Sequence, residues 1–125
     1  PGASKQVFCP TTEAPAATTT AHSAPIGFVF YTGSQFPKAY QSDGFVAMRG
    51  SWNRSKPSGY RVLRVRFGAD GKPTGMEDFV TGWLLDTQPP TQCGRIAGLA
   101  VAPDGSLLIA EDQNGVIYRV RYTGR

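Results

Sequence analysis

The sequence predicts an all-β protein, a partial β-propeller of about two four-stranded antiparallel blades with the last blade lacking its outer strand. Three observations lead there. The 125 residues include 15 glycines and 10 prolines, many for a helical protein, while 40% are hydrophobic, enough for a packed core. Seven short runs rich in Val, Ile, Leu, Phe and Tyr alternate with turn residues, and no segment sustains a helical period. Finally, Gly59-Tyr60-Arg61-Val62-Leu63-Arg64-Val65-Arg66-Phe67 recurs as Gly115-Val116-Ile117-Tyr118-Arg119-Val120-Arg121-Tyr122, both copies ending Arg-Val-Arg-aromatic. Repeats of four-strand units signal propeller blades.

Taken in order, residues 1–21 carry Pro10, Pro15 and the run Thr18-Thr19-Thr20 and read as an extended arm. The segment Pro1-Gly2-Ala3-Ser4-Lys5 lacks the apolar stretch of a secretory signal, so an exported form would begin after its signal. Residues 22–88 form the first blade, with an inner strand over 27–31, then strands over 45–49, 60–67 and 76–84. Residues 89–125 form the second, with strands over 96–102, 107–111 and 116–122. Asp43-Gly44, Asp70-Gly71, Asp104-Gly105 and Asn114-Gly115 mark turns, because these pairs accept the positive φ that tight turns require. No residues remain for helices. Two blades cannot close a ring, and their open sheet edges require further blades, from the same precursor or from another chain.

The net charge of +4 arises from 13 Lys and Arg against 9 Asp and Glu. Arg61, Arg64 and Arg66 alternate with apolar residues, a pattern expected to turn the guanidinium groups to solvent instead of gathering them for nucleic acid, which is excluded as a partner. No apolar run is long enough to span a membrane. Two cysteines and one histidine without CxxC spacing supply no zinc site, and nothing positions a Cys-His nucleophile pair. A bridge between Cys9 and Cys93 is expected in an oxidising compartment, and on the chain-entropy model it adds up to about 4–5 kcal/mol.

In a four-strand meander, the approach to the inner strand and the exit from the second strand lie at one end. That rim gathers His22, Ser23, Arg49, Trp52, Asn53, Arg54, Lys56, Arg95, Glu111 and Asp112. Guanidinium groups match carboxylates bidentately and indole offers a stacking face, so the rim suits a flat anionic aromatic ligand or a sugar.

The strings His22-Ser23-Ala24-Pro25-Ile26-Gly27, Gly50-Ser51-Trp52-Asn53-Arg54, and Gly94-Arg95 ahead of Gly98-Leu99-Ala100-Val101-Ala102-Pro103-Asp104-Gly105 resemble the C-terminal third of the glucose/sorbosone dehydrogenases. The resemblance implies a six-bladed propeller that uses pyrroloquinoline quinone (PQQ) and Ca²⁺ to oxidise a sugar or polyol by hydride transfer to the quinone, passing electrons to a quinone or cytochrome acceptor. It implies cofactor contacts for Arg95, His22, Trp52, Asn53 and Arg54, with Arg95 meeting a cofactor carboxylate. Arg49, Lys56 and Asp112 are rim or substrate candidates. Arg49 departs from the family pattern, which has a histidine there. The catalytic base and the calcium ligands are expected upstream, so the chain alone is expected to be inactive, and the enzyme to be periplasmic or secreted. The alternative is a non-catalytic carbohydrate-binding propeller module assembled as a homo-oligomer.

Overall fold

The structure, a computed structural model, describes Gly2 and residues 4–124. Strands β1 (Pro25–Phe30), β2 (Gly44–Met48), β3 (Arg61–Phe67) and β4 (Pro73–Val80) form one antiparallel meander in chain order. After a hairpin of β5 (Leu84–Thr87) and β6 (Pro90–Gln92), strands β7 (Ile96–Val101), β8 (Leu107–Glu111) and β9 (Val116–Val120) form a second meander. Neither sheet closes into a barrel. The fold is the partial propeller that the repeat predicts, and the second sheet stops at three strands.

Four expectations are corrected. The outer strand of the first blade ends at Val80, because Gly82 adopts φ 118° and the chain turns Trp83 into the core. The β5–β6 hairpin stands where no strand was expected, since Leu85-Asp86-Thr87-Gln88-Pro89-Pro90-Thr91 is exposed throughout and carries no alternation to read. Lys5–Phe8 in the arm makes one α-helical turn (α1), and single 3₁₀ turns follow at Cys9–Thr11 in the arm and at Lys38–Tyr40 between β1 and β2, all too short to leave a periodic pattern. Fourth, Arg64 does not face solvent. It is 8% exposed, on the core side of β3.

Arg64 belongs to a device that both blades repeat. Its Nε donates to Asp43 Oδ2 at 2.6 Å and its Nη1 to Glu77 Oε1 at 2.9 Å, while its guanidinium lies 3.8 Å from the Tyr40 ring centroid. Arg119, the equivalent of Arg64 in the sequence repeat, donates to Asp104 and, from Nε, to Ser106 Oγ at 3.0 Å. In each blade an aspartate ahead of the second strand therefore accepts from the first arginine of Arg-Val-Arg, in a buried pair for Arg64 and an exposed one for Arg119.

The core lies between the two meanders and includes Tyr31, Phe36, Phe45, Val62, Ile96 and Ile109. The inner strands approach closely at their glycines: a Cβ on Gly27 would sit 3.2 Å from Gly98 Cα and 3.1 Å from Ala97 O. At the end opposite the rim, Tyr31 OH donates to Gly105 O at 2.8 Å and accepts from Phe36 N at 2.8 Å, tying the blades together. Each sheet also has a second apolar face turned away from the core. Phe28, Val46 and Leu63 are register neighbours on the first, beside Phe30 and Phe67. Ala100 with Leu108, and Ala110 with Ile117, occupy the second.

Candidate functional site

Backbone geometry builds the rim first. His22 and Ala24 adopt φ 61° and 51°, conformations uncommon for residues with a Cβ, with Ser23 buried between them. Ser23 O accepts from Gly50 N and Ala24 O from Arg49 N, both at 2.9 Å, so the approach to β1 is clamped to the exit from β2. Glycine permits the fit: a Cβ on Gly59, at φ 88°, would lie 2.7 Å from both Gly50 Cα and Ser23 O. The loop between β2 and β3 then closes on itself. Ser51 N donates to Ser58 O at 2.8 Å, Ser58 N to Ser51 Oγ at 3.1 Å, and Tyr60 OH to Ser51 O.

Trp52, 86% exposed, stands at the crest of this loop and lines a cleft on either side. One, of about 320 Å³, is bounded by Trp52, Arg54 and Tyr60 from the first blade, and by Pro90, Thr91, Gln92 and Arg95 from the hairpin and its exit. Arg54 Nη1 donates to Ala21 O at 2.7 Å, and Arg95 Nη2 to Gly50 O, with its guanidinium 5.6 Å from the Tyr60 ring centroid. No carboxylate lines this cleft. Arg49, Arg61, Arg64, Arg66 and Arg119 each have a carboxylate within 4.0 Å, whereas among the described residues Arg54 and Arg95 have none. Arg95 Nε is buried without a hydrogen-bond partner. The second cleft, of about 270 Å³, is lined by His22, Ala24, Gly50, Trp52 and Asn53.

The structure thus brings His22, Trp52, Asn53, Arg54 and Arg95 to one rim but divides them between two clefts. Lys56 is exposed and lines neither. Arg49 and Asp112 are occupied with each other: Arg49 Nη1 lies 2.7 Å from both carboxylate oxygens, an exposed link between the blades. Cys9 and Cys93 are both exposed free thiols, so the expected bridge is not formed. A larger cavity of about 790 Å³ lies at the far end of the first sheet, among Phe30, Thr32, Gln41, Phe67 and Gly71, and none of its lining side chains is charged.

Two contributions go beyond the sequence motifs, the second from a residue that the sequence already places at the rim. One is the hairpin, which supplies Pro90, Thr91 and Gln92; Gln92 Nε2 donates to Gln113 Oε1 at 3.2 Å, fixing the side chain against the β8–β9 turn. The other is Glu111, 2% exposed, whose Oε1 accepts from Arg95 N at 2.9 Å and Gln113 N at 2.7 Å, and whose Oε2 accepts from Asn114 Nδ2 at 2.8 Å. The Arg95 amide, ahead of the Asn114 side chain, holds the Glu111 carboxyl below its ordinary value against the opposing effect of burial. Gly94 makes room for it, since a Cβ there would lie 2.8 Å from Glu111 Cδ. The glycine before Arg95 is the one sequence signal that could have revealed the contact.

Among the described residues no three His, Cys, Asp or Glu side chains gather as a metal site, and no helix is long and apolar enough to cross a membrane.

Comparisons with known proteins bear on the family and the fold. An uncharacterized protein of Borreliella burgdorferi is 37% identical over 103 residues, covering 82% of this chain and 27% of that protein. A pyrroloquinoline quinone-dependent pyranose dehydrogenase of Coprinopsis cinerea is 30% identical over 116 residues, covering 80% of this chain and 15% of the enzyme. Among solved structures, a Trichoderma reesei carbohydrate-active enzyme of family AA12 superposes with a TM-score of 0.65 at 28% identity, over 79% of this chain and 25% of that one. The holo PQQ domain of Coprinopsis cinerea pyranose dehydrogenase superposes at 0.64 and 27% identity, over 81% and 27%. The chain spans about a quarter or less of the length of these proteins. The TrAA12-like family model matches residues 2–123, so the chain belongs to the TrAA12-like family.

Proposed function

We infer that this chain forms part of a PQQ-dependent sugar oxidoreductase, and that its rim helps to hold the cofactor. The arginine cleft carries the reading. Two guanidinium groups without carboxylate partners line one cleft beside an exposed indole. Unneutralised cations sharing a cleft favour an anionic guest, and a planar quinone bearing carboxylates matches both the guanidinium forks and the indole face. PQQ supplies the two-electron acceptor of the reaction when bound. The residues of this chain do the gripping: Arg95 and Arg54 take carboxylate oxygens, and Trp52 covers a face of the ring system.

The matched relatives include a PQQ-dependent pyranose dehydrogenase and its PQQ domain, which supports the assignment. Because the chain spans only part of their length, the remaining blades, the base and any calcium ligands belong to other segments of the ring, and the chain alone is inactive. A secreted or periplasmic enzyme passing electrons to a quinone or cytochrome is the setting that fits. The test is a titration of PQQ into the full-length protein that carries this sequence. Arg95→Ala weakens binding by about 1.5–3 kcal/mol, the worth of a charged hydrogen bond. Unchanged affinity removes Arg95 from the cofactor site.

A further inference from the structure

We propose that Tyr60 is a positioning residue for the arginine cleft, strained in its backbone so that its side chain holds the Arg95 guanidinium and the Trp52 loop in one geometry. The inference deepens the cofactor reading above and rests on it. Tyr60 sits at φ 59°, directly after Gly59 at φ 88°, and a bulky side chain in that region is an outlier. The second blade supplies an internal control. In the sequence repeat the equivalent of Tyr60 is Gly115, immediately ahead of β9, at φ 68° and with open space where a Cβ would stand. The turn into the third strand of either blade thus takes a left-handed residue, and glycine takes it without strain. A tyrosine at this place persists only if its contacts over-determine it, and strain of that kind gathers at functional sites.

The contacts run to both walls of the cleft. The Tyr60 ring is 7% exposed and lies so close to Gly50 that a Cβ there would be 2.5 Å from ring carbon Cε2. Its hydroxyl donates to Ser51 O, while Arg95 Nη2, from the other blade, donates to Gly50 O. Successive carbonyls are therefore held by one residue from each blade, one step ahead of Trp52. The Arg95 guanidinium also stands 5.6 Å from the Tyr60 ring centroid, within cation–π range. A carboxylate in that position would orient the arginine and neutralise it. An aromatic face orients it and leaves its charge for an anionic guest.

The test is a set of double-mutant cycles in the full-length protein, reading PQQ affinity by fluorescence titration and the fold by melting temperature. Tyr60→Leu is expected to weaken PQQ about tenfold where Arg95 is present and less than about twofold in an Arg95→Ala background, because the residue acts through the arginine. Tyr60→Phe keeps the ring and loses the bond to Ser51 O, so it weakens PQQ about threefold and ceases to do so in Trp52→Ala. A tyrosine that only supports the fold lowers affinity by the same factor in every background. An undiminished Tyr60→Leu loss in Arg95→Ala therefore overturns the proposal. If Tyr60→Leu does not fold, Tyr60→Phe decides: affinity equal to wild type, or a loss that persists in Trp52→Ala, overturns it. The cofactor reading fails separately, when wild type binds no PQQ or Arg95→Ala leaves its affinity unchanged, and the proposal falls with it.

Discussion

Glu111 acts on the rim without entering either cleft. A buried carboxylate is costly unless donors surround it, and this one is ringed by the amides of Arg95, Gln113 and Asn114 and by the Asn114 carboxamide. One of those donors is the backbone of Arg95, so the group that satisfies the turn also aims the arginine. Glu111→Gln is expected to lower the melting temperature and to weaken PQQ binding together, because the new amide NH₂ opposes the Asn114 donors and loosens Arg95. Asp104, ahead of β8 and beyond its opposite end, is the control. Ser106, through its side chain and then its amide, with Arg119 behind it, holds Asp104 at about 2, and that turn touches no cleft. Asp104→Asn should therefore lower stability and leave PQQ affinity unchanged. Both carboxyls sit below their unfolded values, so each contributes in full above the ordinary carboxylate range, and the contribution fades as pH falls, through about 2 for Asp104. A chemical-denaturation series from neutral pH to pH 2 should show stability falling monotonically, with a shallower fall in Glu111→Gln than in wild type.

Among the elements, the two loops that carry the rim motifs are held by glycine more than by side-chain bonds. Gly59→Ala forces a Cβ against Gly50 Cα and Ser23 O at 2.7 Å, in a backbone region that L-residues avoid, and should destabilise by about 1–3 kcal/mol or more. Because the displaced atoms belong to the segments carrying His22 and Trp52, PQQ affinity should fall in the same variant, and a melting curve with a parallel PQQ titration checks both. The Arg49–Asp112 link is a lesser constraint: both partners are partly exposed, and such pairs contribute about 0–1 kcal/mol. The meanders were legible because β-branched and aromatic runs between Asp-Gly and Asn-Gly turns leave a signature that packing does not override. Arg64 misled because alternation alone cannot distinguish a solvated face from a core face carrying its own aspartate. The β5–β6 hairpin was illegible because residues 85–91 are exposed, leaving only Leu84 against the core and no alternation to read. At the rim, His22, Trp52, Asn53, Arg54 and Arg95 were recognisable as motifs, but their division between two clefts depends on where one indole ring stands, which no spacing encodes.

For the molecule as a whole, the decisive feature is the pair of apolar faces outside the core. Phe28 and Phe30 on one flank and Ile117 on the other remain about half exposed or more, each on an edge strand of a sheet face that a neighbouring blade would cover. Burying such side chains stabilises by about 1.5–3 kcal/mol each, so leaving both flanks bare is a substantial deficit for a chain of this size. The chain expressed alone should therefore bind a hydrophobic dye strongly and self-associate. Phe28→Lys with Ile117→Lys, one charge on each flank, should reduce both effects without disturbing the core between the sheets. Installed in the full-length protein, the same pair should lower stability sharply, because the charges would then be buried against neighbouring blades without partners. Opposite signs in the two contexts identify the flanks as internal blade contacts. A well-behaved homotrimer of the isolated chain, in which both substitutions prevent assembly, would instead favour a ring built from identical two-blade units, and equal tolerance in both contexts would show that the flanks face solvent.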